Sequence, residues 1–265
     1  MPDFQPAVII PATPSLQLYR FAFIDGRLLL DEEGRLAPIL AAGLDLADAH
    51  YLGRLGEHDC WACQMTEVPA GLQATALRAA MMKLPAELAA LAGRAAQVLE
   101  WDRSHRFCGT CATPTQLKVG ERARLCPACG QLAYPRLSPA MMALVVRGRE
   151  LLLARSPHFP PGVYSALAGF VEPGESVEEC VAREVAEEVG LRINRPRYFG
   201  SQSWPFPHSL MLAFVADWES GDIVPQPEEI EDARWFTPET LPTMPPSLSI
   251  AGRLIRAVVA ELEAR

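Results

Sequence analysis

Glu175, Arg183, Glu184, Glu187 and Glu188 stand at fixed intervals between Gly169 and Gly190, in the run G-F-V-E-P-G-E-S-V-E-E-C-V-A-R-E-V-A-E-E-V-G-L. Ser176 and Glu179 have capping-box spacing, which predicts a helix starting at Val177, and Gly190 supplies a left-handed stop. At about 100° per residue, Glu184, Glu187 and Glu188 share one arc, while Val177, Val181, Val185 and Val189 sweep the adjoining one. One flank packs and the other is a block of carboxylates. Like charges three and four residues apart repel by about 0.2–0.5 kcal/mol per pair on an open helix, and a bound cation removes that cost. Oxygen ligands without His or Cys suit hard divalent ions, so Mg2+ or Mn2+ is expected at this face. Arg183, four residues before Glu187, is placed to hold an acidic side chain in its metal-binding rotamer. A solvated acidic face is what most Glu-rich helices carry, and the full spacing argues against it here.

A second chemistry lies in the cysteines. Cys108-Gly-Thr-Cys111 and Cys126-Pro-Ala-Cys129 are two C-x2-C knuckles, the pattern of a four-thiolate zinc site. A closed sulfur shell has no open position, so this Zn2+ is expected to support the fold and not the reaction. Cys60-Trp-Ala-Cys63 has the spacing of a redox pair but lies in a strand-like stretch without the strand-to-helix context that chemistry needs. Cys180, near the packed flank of the acidic helix, reads as a small core residue.

A third group is aromatic. Trp204 and Phe206 in Ser201-Gln-Ser-Trp-Pro-Phe-Pro-His-Ser209, together with Tyr134 and Phe170, offer flat faces for bases; plain core packing is the competing reading for Trp204 and Phe206.

The elements that must position these groups follow from pattern. The 265 residues are room for about two domains, with 49% hydrophobic residues for their cores. Residues 1–72 hold short apolar runs with turn signals, including a hairpin from Arg20–Ile24 to Arg27–Leu30 across Asp25-Gly26. From Leu72 to about Trp101 the chain is Ala- and Leu-rich and reads as mostly helical, broken by Pro85. Beyond Ser138, Met141–Val146 and Leu151–Ala154 read as a hairpin, Leu210–Trp218 as a strand, and Ile250, Leu254, Val258 and Leu262 as the stripe of a terminal helix. Prolines cluster in loops such as Pro157–Pro161, which suits a preorganised pocket. The net charge of -8 argues against general affinity for nucleic-acid backbones. Neither a signal peptide nor a membrane span is expected, and a cytoplasmic protein is the default.

The spaced set from Gly169 to Leu191 resembles the Nudix box, G-x5-E-x7-R-E-U-x-E-E-x-G-U with U aliphatic, and departs from it nowhere. Its seven identities arise by chance about once in 10^8 starting positions. The Ser201–Ser209 run is similar to the S-Q-P-W-P-F-P-x-S array of the NADH pyrophosphatases within that family, with Ser203 where the array has Pro. Asp102-Arg-Ser-His-Arg-Phe-Cys-Gly and Tyr134-Pro-Arg-Leu-Ser-Pro-Ala140 also look like those enzymes, so the resemblance covers roughly residues 72–265.

The resemblance implies an α/β protein: a Nudix α/β/α sandwich over 136–265, preceded by a zinc ribbon over 103–135 and a small β-rich domain with a helical segment over 1–102. It implies metal-dependent hydrolysis of NADH or NAD+ to NMN(H) and AMP, removal of the NAD cap from RNA, and a homodimer. Glu188 is expected as the base, with Glu184 and Glu187 mainly as ligands. The carbonyl of Ala168 and the carboxylate of Glu229 would complete the metal site, Glu228 being the neighbouring alternative. Substrate contacts are expected from Arg78, Tyr134, Phe170, Ala251 and the loop residues Gln202, Ser203, Trp204, Pro205, Phe206, Pro207, His208 and Ser209. Two other readings stay open: a hydrolase of another nucleoside diphosphate derivative such as ADP-ribose, which the Ser201–Ser209 array argues against, and a zinc-ribbon nucleic-acid-binding module, for which Lys118, Arg122 and Arg124 are too few charges.

Overall fold

The computed structural model describes residues 3–42, 44–46 and 48–264. The chain divides into two compact units, one running to Arg136 and including Pro205–His208, the other formed by Leu137–Trp204 and Ser209–Arg265.

The first unit opens with strands β1 (Phe4–Pro6), β2 (Gln17–Ile24), β3 (Arg27–Asp31), β4 (Ile39–Leu40), β5 (His50–Leu55), β6 (His58–Gln64) and β7 (Leu72–Ala76). They form one mixed sheet in the order β1-β5-β6-β2-β3-β7, with β4 on β2. Asp25 and Gly26, both at positive φ, make the expected turn between β2 and β3. Helices α1 (Leu77–Lys83) and α2 (Ala86–Ser104) follow on either side of Pro85. The helical expectation from Leu72 needs correction, because Leu72–Ala76 is paired along its whole length with β3. Sheet pairing there overrides local propensity. Three short strands, β8 (Gln116–Leu117), β9 (Arg124–Leu125) and β10 (Leu132–Ala133), build the ribbon.

In the second unit, β11 (Ser138–Arg147) and β12 (Glu150–Arg155) form the expected hairpin, and β13 (Leu167–Phe170) leads to α3 (Val177–Val189). Then come β14 (Arg192–Trp204), β15 (Ser209–Ser220), β16 (Asp232–Phe236), a short 3-10 turn and α4 (Ile250–Glu263). The sheet order is β14-β15-β11-β12-β16, with β13 on β11 and the central β11–β15 pair parallel.

Strand β11 explains the layers. Its Met141, Ala143 and Val145 pack with Cys180, Val181, Val185 and Val189 of α3, whereas Met142, Leu144 and Val146 pack with Ile250, Leu254, Val258 and Leu262 of α4. A strand buried on both faces reads as a continuous apolar run, and this one does. The unit is therefore an α/β/α sandwich. Strands β13, β14 and β16 had no counterpart in the sequence reading; β14 is an edge strand with mostly exposed side chains and register shifts, so it lacks the alternation that marks a strand.

Candidate active site

Helix α3 begins at Val177 because Ser176 and Glu179 cap it reciprocally, and it ends at Gly190 in the left-handed conformation. Four valines and Cys180 anchor one flank in the core. Glu184 and Glu188 on the other flank are buried, the latter only 5% exposed, while Glu187 stays 54% exposed on its side chain.

Arg183 organises these acids. Its guanidinium grips Glu175 with two hydrogen bonds, Nε to Oε1 at 2.7 Å and Nη2 to Oε2 at 3.0 Å. It also donates to Glu184 at 2.9 Å, to Glu187 at 2.8 Å and to the Phe170 carbonyl at 3.0 Å. The fork holds Glu175 down to about 2, with the Arg183 hydrogen bonds as the first cause. Gly169 leaves the space Glu184 occupies, since a methyl group there would collide with the Glu184 carboxylate.

Glu188 is the opposite case. Burial pushes it up to about 8, Glu184 and Glu229 add to that, and a backbone hydrogen bond from Ala168 works against it. Its Oε2 is buried with no hydrogen-bond partner among the described residues. Glu184 is raised as well, by burial first, with the Arg183 hydrogen bond and charge opposing. An uncompensated carboxylate oxygen beside two further acids is what a hard divalent cation satisfies, which makes Glu184, Glu188 and Glu229 candidate donors for such an ion. Glu187 accepts from Arg183 as Glu184 does, and is the more exposed of the two. The charge of Glu229 bears on both Glu184 and Glu188.

Glu188, Glu228, Glu229 and Ala168 line one cleft of about 340 Å³ with Ala154, Ser156, His158 and Phe159. That volume suits a small ligand. No motif marks Ser156, His158 and Phe159 in the sequence; the Pro157–Pro161 cluster is the signal that points to their loop.

The ribbon holds its four sulfurs within 4.8 Å of one another, with Cys108–Cys129 at 3.6 Å and Cys111–Cys126 at 3.5 Å. Tetrahedral zinc with Zn–S near 2.3 Å separates sulfurs by about 3.8 Å, so Cys108, Cys111, Cys126 and Cys129 fit structural Zn2+. Cys60 and Cys63 are buried in β6, and burial pushes the Cys60 thiol up to about 12, which suits packing and not redox exchange.

The remaining candidates fall in several places. Gln202, Ser203 and Trp204 end β14, Ser209 starts β15, and Pro205–His208 is the turn between them, with a cis Phe206–Pro207 peptide. Gln202 braces the fold: its Oε1 accepts from the Ile250 amide at 2.6 Å and its Nε2 donates to the Leu248 carbonyl at 3.0 Å, fixing the start of α4 where Ala251 is buried. In the first unit, the Arg78 guanidinium lies 4.5 Å from the centre of the Phe206 ring, and Pro205 packs on Gly93. Tyr134 is half-exposed there and donates its hydroxyl to Glu121 at 2.8 Å. In the second unit Phe170 is 58% exposed at the end of β13. Of the ribbon cations, Arg122 donates to the Ala7 and Tyr51 carbonyls and Arg124 to buried Asp102, so neither is available to an RNA backbone.

Comparison with known proteins agrees with this geometry. Residues 136–257 match the model of the NUDIX domain, 103–134 the NADH pyrophosphatase zinc ribbon domain, and 18–101 the NADH pyrophosphatase-like rudimentary NUDIX domain. The chain is 51% identical over 250 residues to the NAD-capped RNA hydrolase NudC of Chromobacterium violaceum, covering 93% of this chain and 94% of that one. It is 46% identical over 267 residues to the protein of the same name from Deinococcus radiodurans, covering 98% and 93%. The chain belongs to the Nudix hydrolase family, within its group of NADH pyrophosphatases. It is an enzyme of diphosphate hydrolysis that uses a divalent metal and carries a structural zinc ribbon. Among the described residues no helix is long and apolar enough to cross a membrane.

Proposed function

We propose that the protein hydrolyses the diphosphate bridge of NADH and NAD+ to NMN(H) and AMP, and that it also removes the NAD cap from the 5′ end of RNA, which presents the same bridge. The observation that carries the reaction is the buried, unpartnered Oε2 of Glu188 in a cleft shared with Glu229. Substrate choice draws support from the relatives named NAD-capped RNA hydrolase and from the Ser201–Ser209 array.

Mg2+ or Mn2+ held by Glu184, Glu187, Glu188, Glu229 and the Ala168 carbonyl would neutralise the nonbridging oxygens and lower the pKa of the attacking water. The water oxygen bonds to one phosphorus, the bridging P–O bond breaks, and the leaving phosphate takes its electron pair. Glu188 receives the proton released by the water. Arg183 keeps Glu184 in place while its fork stays on Glu175. The exposed rings of Phe170 and Tyr134 are the candidates for base stacking, each worth about 1–3 kcal/mol.

The enzyme would act in the cytoplasm, where zinc thiolates and the three further free cysteines stay reduced. It would act as a homodimer, since the ribbon exposes Phe107, Leu117 and Val119 for a second copy to cover. Light scattering reads the mass directly, and a monomer at working concentration would overturn the dimer.

The test of substrate is a panel of NADH, NAD+, ADP-ribose, dinucleoside polyphosphates, NAD-capped RNA and triphosphate RNA with Mg2+ or Mn2+, the products separated chromatographically. NADH and capped RNA should be cleaved at the bridge. Preference for ADP-ribose, or inertness toward both NADH and capped RNA, would sink the reading.

A further inference from the structure

Two loops wall the cleft that contains Glu188: the turn from Ser156 to Phe159 after β12, and the segment before β16 that carries Glu228 and Glu229. The second loop is fastened at one end to α3. There the Val224 and Gln226 amides donate to the Val189 and Glu188 carbonyls, both at 2.9 Å, and so satisfy carbonyls a helix end leaves open.

At the other end the fastening is Arg155. Its Nη1 donates to Glu231 at 2.6 Å, its Nη2 to the Phe159 carbonyl at 3.2 Å, and its own carbonyl accepts the Glu231 amide at 2.8 Å. One side chain thus touches both walls. It is only 12% exposed, so its charge is held largely out of water against a half-exposed partner. A flat guanidinium can serve two diverging acceptors at once; an ammonium on a flexible stem cannot hold them in a fixed relation.

We infer that Arg155 is a positioning residue for the catalytic metal: it straps the Ser156–Phe159 turn to the acidic loop and thereby fixes where Glu229 stands relative to Glu188. The inference rests on the proposed function only in that Glu188 and Glu229 share a cation. Arg155 does not line the cleft, whereas its neighbours on both loops do.

Binding of Mn2+ to the substrate-free protein, followed by the electron paramagnetic resonance signal of the free ion, reads the strap without turnover. Arg155→Ala is expected to weaken Mn2+ by about tenfold, the lower end of what loss of an outer partner costs a metal site. Arg155→Lys should recover part of the loss, and Glu231→Gln, which keeps an acceptor and drops the charge, should fall between. Turnover of Arg155→Ala at saturating Mn2+ should return to the wild-type rate, which a general loss of structure would not allow. Wild-type Mn2+ affinity in a folded Arg155→Ala protein overturns the inference. If that variant does not fold, unchanged affinity in both Arg155→Lys and Glu231→Gln overturns it equally. Failure of the functional reading looks different: the variants would still weaken Mn2+ while the wild type left NADH intact.

Discussion

Arg183 and Glu175 are joined by a two-pronged ion pair, 2.7 Å and 3.0 Å, across the start of the acidic helix. Because the same guanidinium also reaches Glu184 and Glu187, the pair sets the positions of acids on either side of it. Arg183→Lys keeps the charge and loses the fork. Activity is expected to fall by about 10- to 100-fold through weaker metal binding, with circular dichroism unchanged. A metal titration of the variant's rate checks it, and a wild-type half-saturation point would contradict it.

Gly169 faces Glu184 with no room for a side chain. In Gly169→Ala the carboxylate must leave its place, so turnover should drop by about 100-fold, as it does for a misplacement of an ångström at a reacting centre. Comparable kinetics for Gly169→Ala and wild type would show that Glu184 can shift without consequence.

Glu188 ties stability to pH in the metal-free protein. Its folded value near 8 stands above the ordinary 4.5, so the folded state holds the proton more tightly than the unfolded chain does. The contribution is fully present below about pH 4.5 and is lost as pH rises through about 8. In chelator the melting temperature of wild type should therefore decline over this window more steeply than that of Glu188→Gln, and Mg2+ should narrow the gap. Parallel pH profiles of the two proteins would refute this.

The ribbon should bind about one zinc per chain. Metal analysis of the purified protein checks this, and Cys126→Ser should abolish the zinc and lower the melting temperature, because binding of the ion is folding energy for so small a domain. A zinc-free protein with an unchanged melting point would contradict the assignment.

What could be read in the sequence was what depends on neighbours along the chain. The start of α3 at Val177 and its stop at Gly190 follow from a cap and a left-handed residue, and the β2–β3 turn from Asp25-Gly26. The two cysteine knuckles declared their site by spacing alone. What escaped notice depends on pairing between distant segments. Leu72–Ala76 is a strand only because β3 lies beside it, and Arg155 meets Glu231 only because β12 pairs with β16. Spacing could not choose between Glu228 and Glu229, because both stand on the loop that walls the cleft beside Glu188. Gln202 reads as a substrate contact in its motif, and no spacing announces that its amide also bonds Leu248 and Ile250 at the start of α4.

The most direct test of the central claim is to incubate wild type and Glu188→Gln with NADH and Mn2+ and identify the products by mass. Wild type should yield NMNH and AMP, and Glu188→Gln should fold normally while turning over at least about 100-fold more slowly, the typical worth of a positioned base. Release of nicotinamide and ADP-ribose, or equal rates in the two proteins, would contradict the account.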